Sequence, residues 1–288
     1  MEEAHGGEAA GGCGALYVVA TPIGNLKDIT RRAIEVLARV ERVAAEDTRV
    51  AGQLLAHLGI SKPLVAVHEH NEEAGAEKIL AALARGESVA LVTDAGTPGV
   101  SDPGARVVRR VRAAGFRVVP IPGPSALTAA LSVAGLNQPQ VLFYGFLPAK
   151  AAERRAVLES LKPLPYALAF YESPHRIRDT LEDLAAILGE GRNVVIAREL
   201  TKRFEEIHAG PLSEAARWLA VDPHRSRGEF VLIVSGAEEE AAEEAEAQRV
   251  LNILLAELPA SQAARLAAAI TGHKRRRLYE LALKQRGD

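Results

Sequence analysis

Short apolar runs alternate with longer amphipathic segments between residue 15 and about residue 136. A continuous apolar run is typical of a buried strand, whereas apolar positions spaced three or four residues apart are typical of a helix. This alternation predicts the α/β class, with a mostly parallel sheet and helices on both faces. The predicted strands are 15–20, 42–45, 63–67, 89–92 and 116–121, and the predicted helices are one from residue 30, 53–58, 73–85, 105–114 and 125–133.

The apolar runs follow one another more closely between residues 140 and 236. Few amphipathic segments separate them, so this half is predicted to form a mixed or antiparallel sheet. One helix is predicted to have Pro174 in its first turn, where proline is favoured, and to end at Leu188, while another starts at Pro211. The other predicted elements are strands 141–146, 166–171, 193–197, 205–208 and 229–235 and a helix at 151–161.

The last fifty residues begin with an acidic stretch, Ala237–Gln248, which is predicted to be a solvated helix or a linker. Beyond it, the spacing of the leucines predicts a small bundle of three short helices. Ser261 is a favourable N-cap, and Pro259 and Gly272 are typical of helix ends. The bundle helices are predicted at 249–258, 261–270 and 274–283, and the predicted domains are 1–14 (a disordered tail), 15–137, 138–236 and 237–288, with a hinge at 137–139.

Composition restricts the class of protein only in part. The chain has 288 residues, 48% of them hydrophobic, and a formal net charge of −2, which suits a protein of about two domains. No apolar run approaches the roughly 18–20 residues of a membrane helix, and the Gly- and Glu-rich start does not resemble a signal peptide. The one cysteine, Cys13, excludes an internal disulfide, so a cytoplasmic protein is expected. A nucleic-acid partner would require a local basic patch.

Three stretches rich in glycine and proline, Thr21–Asn25, Leu91–Gly104 and Ile121–Ser125, coincide with the ends of predicted strands. Glycine permits positive φ and proline fixes φ, so such loops have a defined shape. Because ligands bind at the carboxyl ends of the strands in open α/β sheets, the three loops together predict one binding site. The sequence has neither the dinucleotide fingerprint nor a phosphate-binding P-loop.

Polar residues also follow the predicted strands, at 46–49, 68–72, 94–102 and 122–125. His68 and His70 have the residue type of metal ligands. They have no cysteine partner and no recognised ligand spacing, so no metal site is expected.

Eight motifs in this order resemble one family: ATPIGNLKDIT, AAEDTR, HEHNE, LVTDAGTPGVSDPG, PIPGPSA, FYGFLP, YESPHR and ARELTK. The chain is similar to the bacterial ribosomal RNA small subunit methyltransferase I family, cytidine 2′-O-methyltransferases of the tetrapyrrole-methylase superfamily. The resemblance implies a two-domain tetrapyrrole-methylase-like fold (a class III S-adenosylmethionine methyltransferase) with the S-adenosylmethionine (SAM) cleft between the domains. It also implies a small C-terminal helix-turn-helix-like module, a homodimer, and 16S rRNA of the 30S subunit, in its decoding region, as the substrate.

The resemblance also assigns residues to the cofactor. Thr97 stands where the superfamily's Gly-Asp-Pro turn has aspartate, which leaves open whether its side chain or the backbone contacts SAM. The cofactor-binding residues implied are Pro22, Ile23, Gly24, Asp94, Gly96, Thr97, Val100, Ser101, Ser125, Ala126, Tyr171 and Ala197.

Transfer of a methyl group to a ribose hydroxyl requires that the hydroxyl oxygen, the methyl carbon and the leaving sulfur lie in line. It also requires a group that receives the hydroxyl proton. Asp47 and Glu172 are the favoured bases because both follow strands. The full set of candidate bases is Asp47, Glu172, Glu46 and His175, and the candidate RNA-binding cations are Arg49, Arg176, Arg198, Lys202, Lys274, Arg275, Arg276 and Arg277. Two other functions stay open: a tetrapyrrole or corrinoid C-methyltransferase with the same SAM cleft, and a non-enzymatic RNA-binding or assembly protein.

Overall fold

The structure is a computed structural model that describes residues 14–68, 70–136 and 138–286. Its described residues form two compact units. Unit 1 contains the chain up to Val133 together with Glu199–Glu206, and unit 2 contains Ala134–Arg198 together with the chain from Ile207. The predicted tail at 1–14, including Cys13, lies outside the described residues except for Gly14, as does Asn137 of the predicted hinge.

Unit 1 is built on a five-stranded sheet in the order β3-β2-β4-β1-β5, and all its strand pairs are parallel. One face packs on the first two helices through residues such as Leu37 and Leu55, and the other on the next two through Ile79 and Val107. The predicted parallel sheet with helices on both faces is therefore confirmed. The elements are β1 (Ala15–Val19), α1 (Arg31–Arg39), β2 (Arg42–Ala45), α2 (Thr48–His57), β3 (Leu64–Ala66), α3 (Glu72–Ala84), β4 (Val89–Val92), α4 (Ala105–Ala113), β5 (Arg117–Ile121) and α5 (Ala126–Ala134).

Helix α2 starts at Thr48, five residues before the stretch 53–58 in which the helix was predicted to continue. Asp47 is its N-cap and accepts a hydrogen bond from the backbone N–H of Arg49 at 2.8 Å. A side-chain acceptor at this position satisfies an otherwise unpaired donor of the first turn. The cap therefore starts the helix directly after β2 and brings its first turn to the carboxyl edge of the sheet.

Unit 2 contains a mixed five-stranded sheet in the order β6-β7-β10-β8-β9, as predicted. β6 and β7 are parallel, whereas β10 is antiparallel to both β7 and β8. The helix predicted to have Pro174 in its first turn starts later, at Ile177. Pro174 lies instead in a turn, in which the Ser173 carbonyl accepts hydrogen bonds from the backbone N–H groups of Arg176 and Ile177. The elements are β6 (Val141–Phe146), α6 (Ala151–Leu161), β7 (Ala167–Glu172), α7 (Ile177–Leu188), β8 (Asn193–Arg198), β9 (Glu206–Pro211), α8 (Leu212–Val221) and β10 (Phe230–Val234).

Three helices close the chain: α9 (Glu239–Glu257), α10 (Ala260–Thr271) and α11 (Arg275–Arg286). Of the two forms predicted for the acidic stretch, helix or linker, the structure has the helix. It is continuous with the first predicted bundle helix, because the Ala- and Glu-rich stretch has high helix propensity. Ser261 lies inside α10, whose N-cap is Pro259, while Gly272 ends α10 in a left-handed conformation (φ 77°) as expected. The helices share an apolar core that includes Leu251, Ala264 and Leu278. Within the described chain, no helix has both the length and the apolar character that a membrane crossing requires.

Candidate active site

The three Gly/Pro loops meet at the carboxyl edge of the unit 1 sheet. Thr21, just after β1, and Gly96, after β4, exchange backbone hydrogen bonds of 2.8 and 3.1 Å. The Thr21 hydroxyl donates to the Thr93 carbonyl at 3.1 Å and is buried. The Thr97 hydroxyl donates to the carbonyl of Pro124, in the third loop, at 3.2 Å. The structure therefore brings together the loops that the sequence singled out.

The loop after β4 has an unusual backbone. Gly96 and Gly99 have φ of 79° and 80°, and Ser101 has φ of 62°, where residues with a Cβ are uncommon. The Gly99 N–H donates to the Pro103 carbonyl at 3.2 Å, which folds the loop onto itself. Such a strained segment is typical of a site that holds a ligand close to the backbone.

Thr97 has a defined role in this arrangement. Its hydroxyl hydrogen is used in the bond to Pro124, so the side chain connects the second loop to the third. Gly123 in the third loop allows a close approach, since a Cβ there would lie 2.9 Å from the Cβ of Ala20. The loops are thus held together by their own contacts, since the Gly96 backbone is bonded to Thr21 and the Thr97 hydroxyl to Pro124.

The segment 199–206 belongs to unit 1 and packs on the first loop. Thr201 accepts a hydrogen bond from the backbone N–H of Asn25 at 3.1 Å and adopts a φ of 66°. Gly24 has room only for hydrogen, because a Cβ there would lie 2.4 Å from the Cγ of Lys202. Lys202, predicted to bind RNA, is ion-paired with Glu199 at 2.8 Å. The sequence did not predict this contact, since no local pattern relates positions so far apart.

Three carboxylates, Glu46, Asp94 and Asp102, interact at the ends of β2 and β4. Burial, followed by the charges of Glu46 and Asp94, raises the pKa of Asp102 to about 7. Burial, followed by the charge of Asp94, raises the pKa of Glu46. A carboxylate with a pKa near neutrality is suited to accept a proton at physiological pH. Sequence reasoning missed Asp102, although its position between the turn-forming Ser101 and Pro103 was a usable signal.

Asp47 has a different environment. It accepts hydrogen bonds from the Arg49 guanidinium, the shortest 2.6 Å, and from the Arg49 backbone. These bonds lower the pKa of Asp47 to about 2. Its own backbone N–H donates to Asp94 at 3.0 Å. Asp47 and Arg49 therefore act as a cap and an ion pair at the start of α2, and a carboxylate of such low basicity is a weak proton acceptor.

Glu172, at the end of β7 in unit 2, is 2% exposed. One oxygen accepts from the Ser173 backbone at 2.7 Å and from Arg176 at 2.7 and 2.8 Å, and the other accepts from the Thr180 hydroxyl at 2.7 Å. Arg176 also donates to the Leu147 carbonyl. This hydrogen-bonded cluster fixes the turn before α7, and both residues have structural partners in it.

The remaining predicted residues of unit 2 have contrasting surroundings. Tyr171 and Ala197 both pair with Val231, so the three lie in one row on one face of the sheet. Arg198 is 6% exposed and donates to the carbonyls of Arg227 and His224 at 2.7 Å each, which holds the loop before β10.

The other predicted site residues are exposed or lie on the loops. His175 is exposed, and Ser125 and Ala126 lie at the start of α5. In the described chain no group of three or more potential ligands could hold a metal ion, and the rings of His68 and His70 lie 6.2 Å apart.

The basic run 274–277 lies at the start of α11. Arg276 pairs with Glu280 at 3.0 Å and Arg277 pairs with Glu244 of α9. Lys274 lines a groove of about 840 Å³ together with Glu243 and Glu246. Half of the positive charge in the run is thus balanced within the helical cluster.

Comparison with known proteins gives concordant results. Residues 15–216 match the family described as Tetrapyrrole (Corrin/Porphyrin) Methylases, and residues 241–286 match the family described as RsmI C-terminal HTH domain. Three curated relatives bear the name Ribosomal RNA small subunit methyltransferase I. They come from Escherichia coli O157:H7, Pseudomonas aeruginosa and Xylella fastidiosa, and are 54%, 52% and 53% identical over 95%, 95% and 92% of this chain and 96%, 98% and 98% of theirs.

Among solved structures, the fold is similar to that of the methyltransferase CobJ. The TM-score is 0.59 at 23% sequence identity, covering 78% of this chain and 95% of that one.

Proposed function

Because the chain belongs to the tetrapyrrole (corrin/porphyrin) methylase family, and within it to the ribosomal RNA small subunit methyltransferases I, we propose that it methylates RNA of the small ribosomal subunit. The observation that carries this proposal is the extent of the similarity. Relatives with that name match more than nine tenths of both chains at above 50% identity, and the match includes the C-terminal helices. CobJ shares the fold at only 23% identity, so it gives no separate support to a tetrapyrrole substrate.

The methyl donor proposed is SAM, which supplies a methyl group activated by its sulfonium. The loops suit such a ligand because glycines at 96 and 99 have no side chain to keep it away from the backbone, and SAM has no phosphate that would need a P-loop. On unit 1 the residues proposed to hold it are Ile23, Gly24, Gly96, Val100, Ser101, Ser125 and Ala126, with Pro22, Asp94 and Thr97 beside them. Tyr171 and Ala197 of unit 2 stay predicted contacts.

The acceptor proposed is the 2′-hydroxyl of a cytidine in 16S rRNA. Alignment of this hydroxyl with the methyl carbon is worth about 7–11 kcal/mol, more than the roughly 3–5 kcal/mol typical of a general base. Among the carboxylates at the sheet edge, Asp102 and Glu46 are the best suited to receive the proton because their pKa values are raised. Asp47 and Glu172 stay predicted bases, but their hydrogen bonds favour positioning roles.

A methylation assay tests the proposed function. Small ribosomal subunits and free 16S rRNA from a strain that lacks this protein are incubated with the protein and with SAM labelled in its methyl group. Label in a single ribose 2′-O-methylcytidine is the expected result. Label in a tetrapyrrole precursor and none in rRNA would refute the proposal, and failure to bind SAM would favour a non-enzymatic RNA-binding role.

Replacement of the proposed base gives a sharper prediction. Asp102→Asn removes the proton acceptor with little change of shape, so the single-turnover rate should fall about 10²–10⁴-fold. SAM affinity is expected to change little. Asp47→Asn is the matched variant, and its rate should fall less because Asp47 has a pKa of about 2. An unchanged rate for Asp102→Asn would assign the proton to another group.

The proposal also includes the oligomeric state, the form of the RNA substrate and the location of the protein in the cell. The homodimer is expected from the resemblance to the tetrapyrrole-methylase superfamily. The assembled 30S subunit as substrate, in its decoding region, and a cytoplasmic location are expected for an enzyme that modifies ribosomal RNA. Sedimentation of the purified protein tests the first, and a comparison of rates on free rRNA and on subunits tests the second.

A further inference from the structure

A small pocket lies beside the proposed cofactor loops, entirely within unit 1. Its volume is about 190 Å³. The walls come from the end of β1, the end of β4 and residues 50–54 of α2. Val50, Gln53 and Leu54 line it together because residues three and four positions apart share one face of a helix. Leu26 lines the pocket from the opposite loop.

The walls of this pocket are connected by hydrogen bonds. The Thr21 hydroxyl bonds the end of β1 to the Thr93 carbonyl, and the Asp47 backbone bonds the start of α2 to Asp94. A pocket with such fixed walls is formed before a ligand arrives, so binding requires little reorganisation.

The size of the pocket limits its occupant. Drug-sized ligands occupy roughly 300–1,000 Å³, so about 190 Å³ suits a single planar ring and not a whole SAM molecule. Leu26 and Val50 are large apolar side chains that are 42% and 38% exposed in this structure. Apolar side chains that line a pocket can stack on a base extruded from its helix.

The polar groups of the pocket restrict the ring further. Asp94 lines it, and its charge interacts with those of Glu46 and Asp102, so an anionic group would be repelled. A carboxylate accepts hydrogen bonds from the exocyclic amino group of cytosine, whereas uracil has a carbonyl at that position. The Gln53 amide, also in the lining, has both a donor and an acceptor for the rest of the base edge.

Cations stand next to both apolar side chains along the chain. Lys27 follows Leu26, and Arg49 precedes Val50 with its side chain 86% exposed. Lys27 is thus placed to contact a phosphate that flanks the base, whereas Arg49 would have to exchange its ion pair with Asp47 for such a contact. Phosphate contacts position an RNA while base contacts specify it.

From these observations we propose that the pocket binds the base of the methylated nucleotide and selects cytosine through Asp94 and Gln53. The inference rests on the proposed methylation of RNA and adds the residues that read the base. The base-binding pocket lies on the α2 side of β4, whereas the loop after β4 is connected through Thr97 to the loop after β5. The base and the cofactor therefore occupy neighbouring parts of the sheet edge, and Pro22 and Asp94 border both.

The test fills the pocket with a larger side chain and measures the KM for small subunits and the affinity for SAM separately. Val50→Trp should raise the KM for small subunits about tenfold or more, since loss of one stacked base is worth that much. Its SAM affinity should stay within about twofold, which also shows that the variant is folded. Ala56→Trp adds the same ring to an exposed position of α2 outside the pocket, and both constants should stay as in the unchanged protein.

A second variant tests the selection of cytosine. On subunits in which the methylated cytidine is replaced by uridine, the unchanged protein should be slower by about tenfold to a hundredfold, and Asp94→Asn should reduce this preference. An unchanged KM for Val50→Trp, or an unchanged preference for Asp94→Asn, would overturn the inference. Loss of SAM affinity in Val50→Trp would assign the pocket to the adenine of the cofactor. Inactivity of the unchanged protein on rRNA would instead refute the proposed function.

Discussion

At Asp102 a cost in stability accompanies the proposed role as proton acceptor. Its carboxylate is half-buried, and Glu46 and Asp94 add negative charge beside it. Both effects disfavour ionisation, so the folded protein retains a proton there that the unfolded chain releases. A group suited to accept a proton from a substrate is for the same reason unfavourable to the fold when it is ionised.

The pH dependence of stability should report this cost. The pKa of Asp102 is raised to about 7 in the fold, so its contribution to stability falls as the pH rises from about 4 to about 7 and is constant above. Asp102→Asn cannot ionise, so its Tm should exceed that of the unchanged protein by more at pH 8 than at pH 5. Asp179→Asn, on an exposed carboxylate, should show the same Tm difference at both pH values. An equal advantage of Asp102→Asn at pH 5 and pH 8 would contradict the raised pKa.

At the scale of elements, the strands were predicted well because buried apolar runs leave a strong pattern. The beginnings of helices were predicted less well. The start of α2 depends on the Asp47 cap, and that of α7 on a turn around Ser173, which local propensity does not determine. The continuity of α9 follows from the helix propensity of its Ala- and Glu-rich part, which a change of composition near residue 248 does not interrupt.

In the candidate site, too, some features could be predicted from the sequence and others could not. The positions of the loops could be predicted because they follow strands, whereas the environment of each carboxylate could not. Asp47 and Glu172 both follow strands, yet Arg49 lowers the pKa of the first and three donors surround the second. The sequence marks Asp102 as a turn residue between Ser101 and Pro103, but its raised pKa depends on burial and on the charges that the fold places beside it.

The helical cluster of α9, α10 and α11 offers a test of packing within one helix. Leu251 of α9 is fully buried in its core, whereas Ile253 is 58% exposed. Leu251→Ala should reduce the local free energy of unfolding by about 2–5 kcal/mol, and Ile253→Ala by roughly 0.5 kcal/mol or less. Hydrogen exchange of the amides of the three helices in the full-length protein measures both. Similar losses in the two variants would show that the cluster core is not packed as described.

At the scale of the whole molecule, the net charge of −2 requires that binding to RNA depend on local basic surfaces. The four cations of the run 274–277 are not equivalent, since Arg276 and Arg277 are paired with glutamates. Lys274 and Arg275 are therefore the members best able to neutralise RNA phosphates.

The salt dependence of RNA binding tests this difference. Alanine at both Lys274 and Arg275 should reduce the slope of log affinity against log salt concentration by about 0.7 for each phosphate that is no longer neutralised. Alanine at both Arg31 and Arg32 removes the same charge from exposed positions of α1 and serves as the control. If the variant with alanine at Lys274 and Arg275 had the same slope as the unchanged protein, these two cations of the C-terminal helices would not contact RNA phosphates.

The assignment of Glu199–Glu206 to unit 1 affects how the protein is made. During translation, all five strands of the unit 1 sheet leave the ribosome long before Thr201, which fixes Asn25 in the first loop. The nascent sheet can form early, but the loop proposed to hold the methyl donor acquires its last support only after β8 has been synthesised. A ribosome stalled before residue 199 would thus carry a folded sheet with an incomplete donor site.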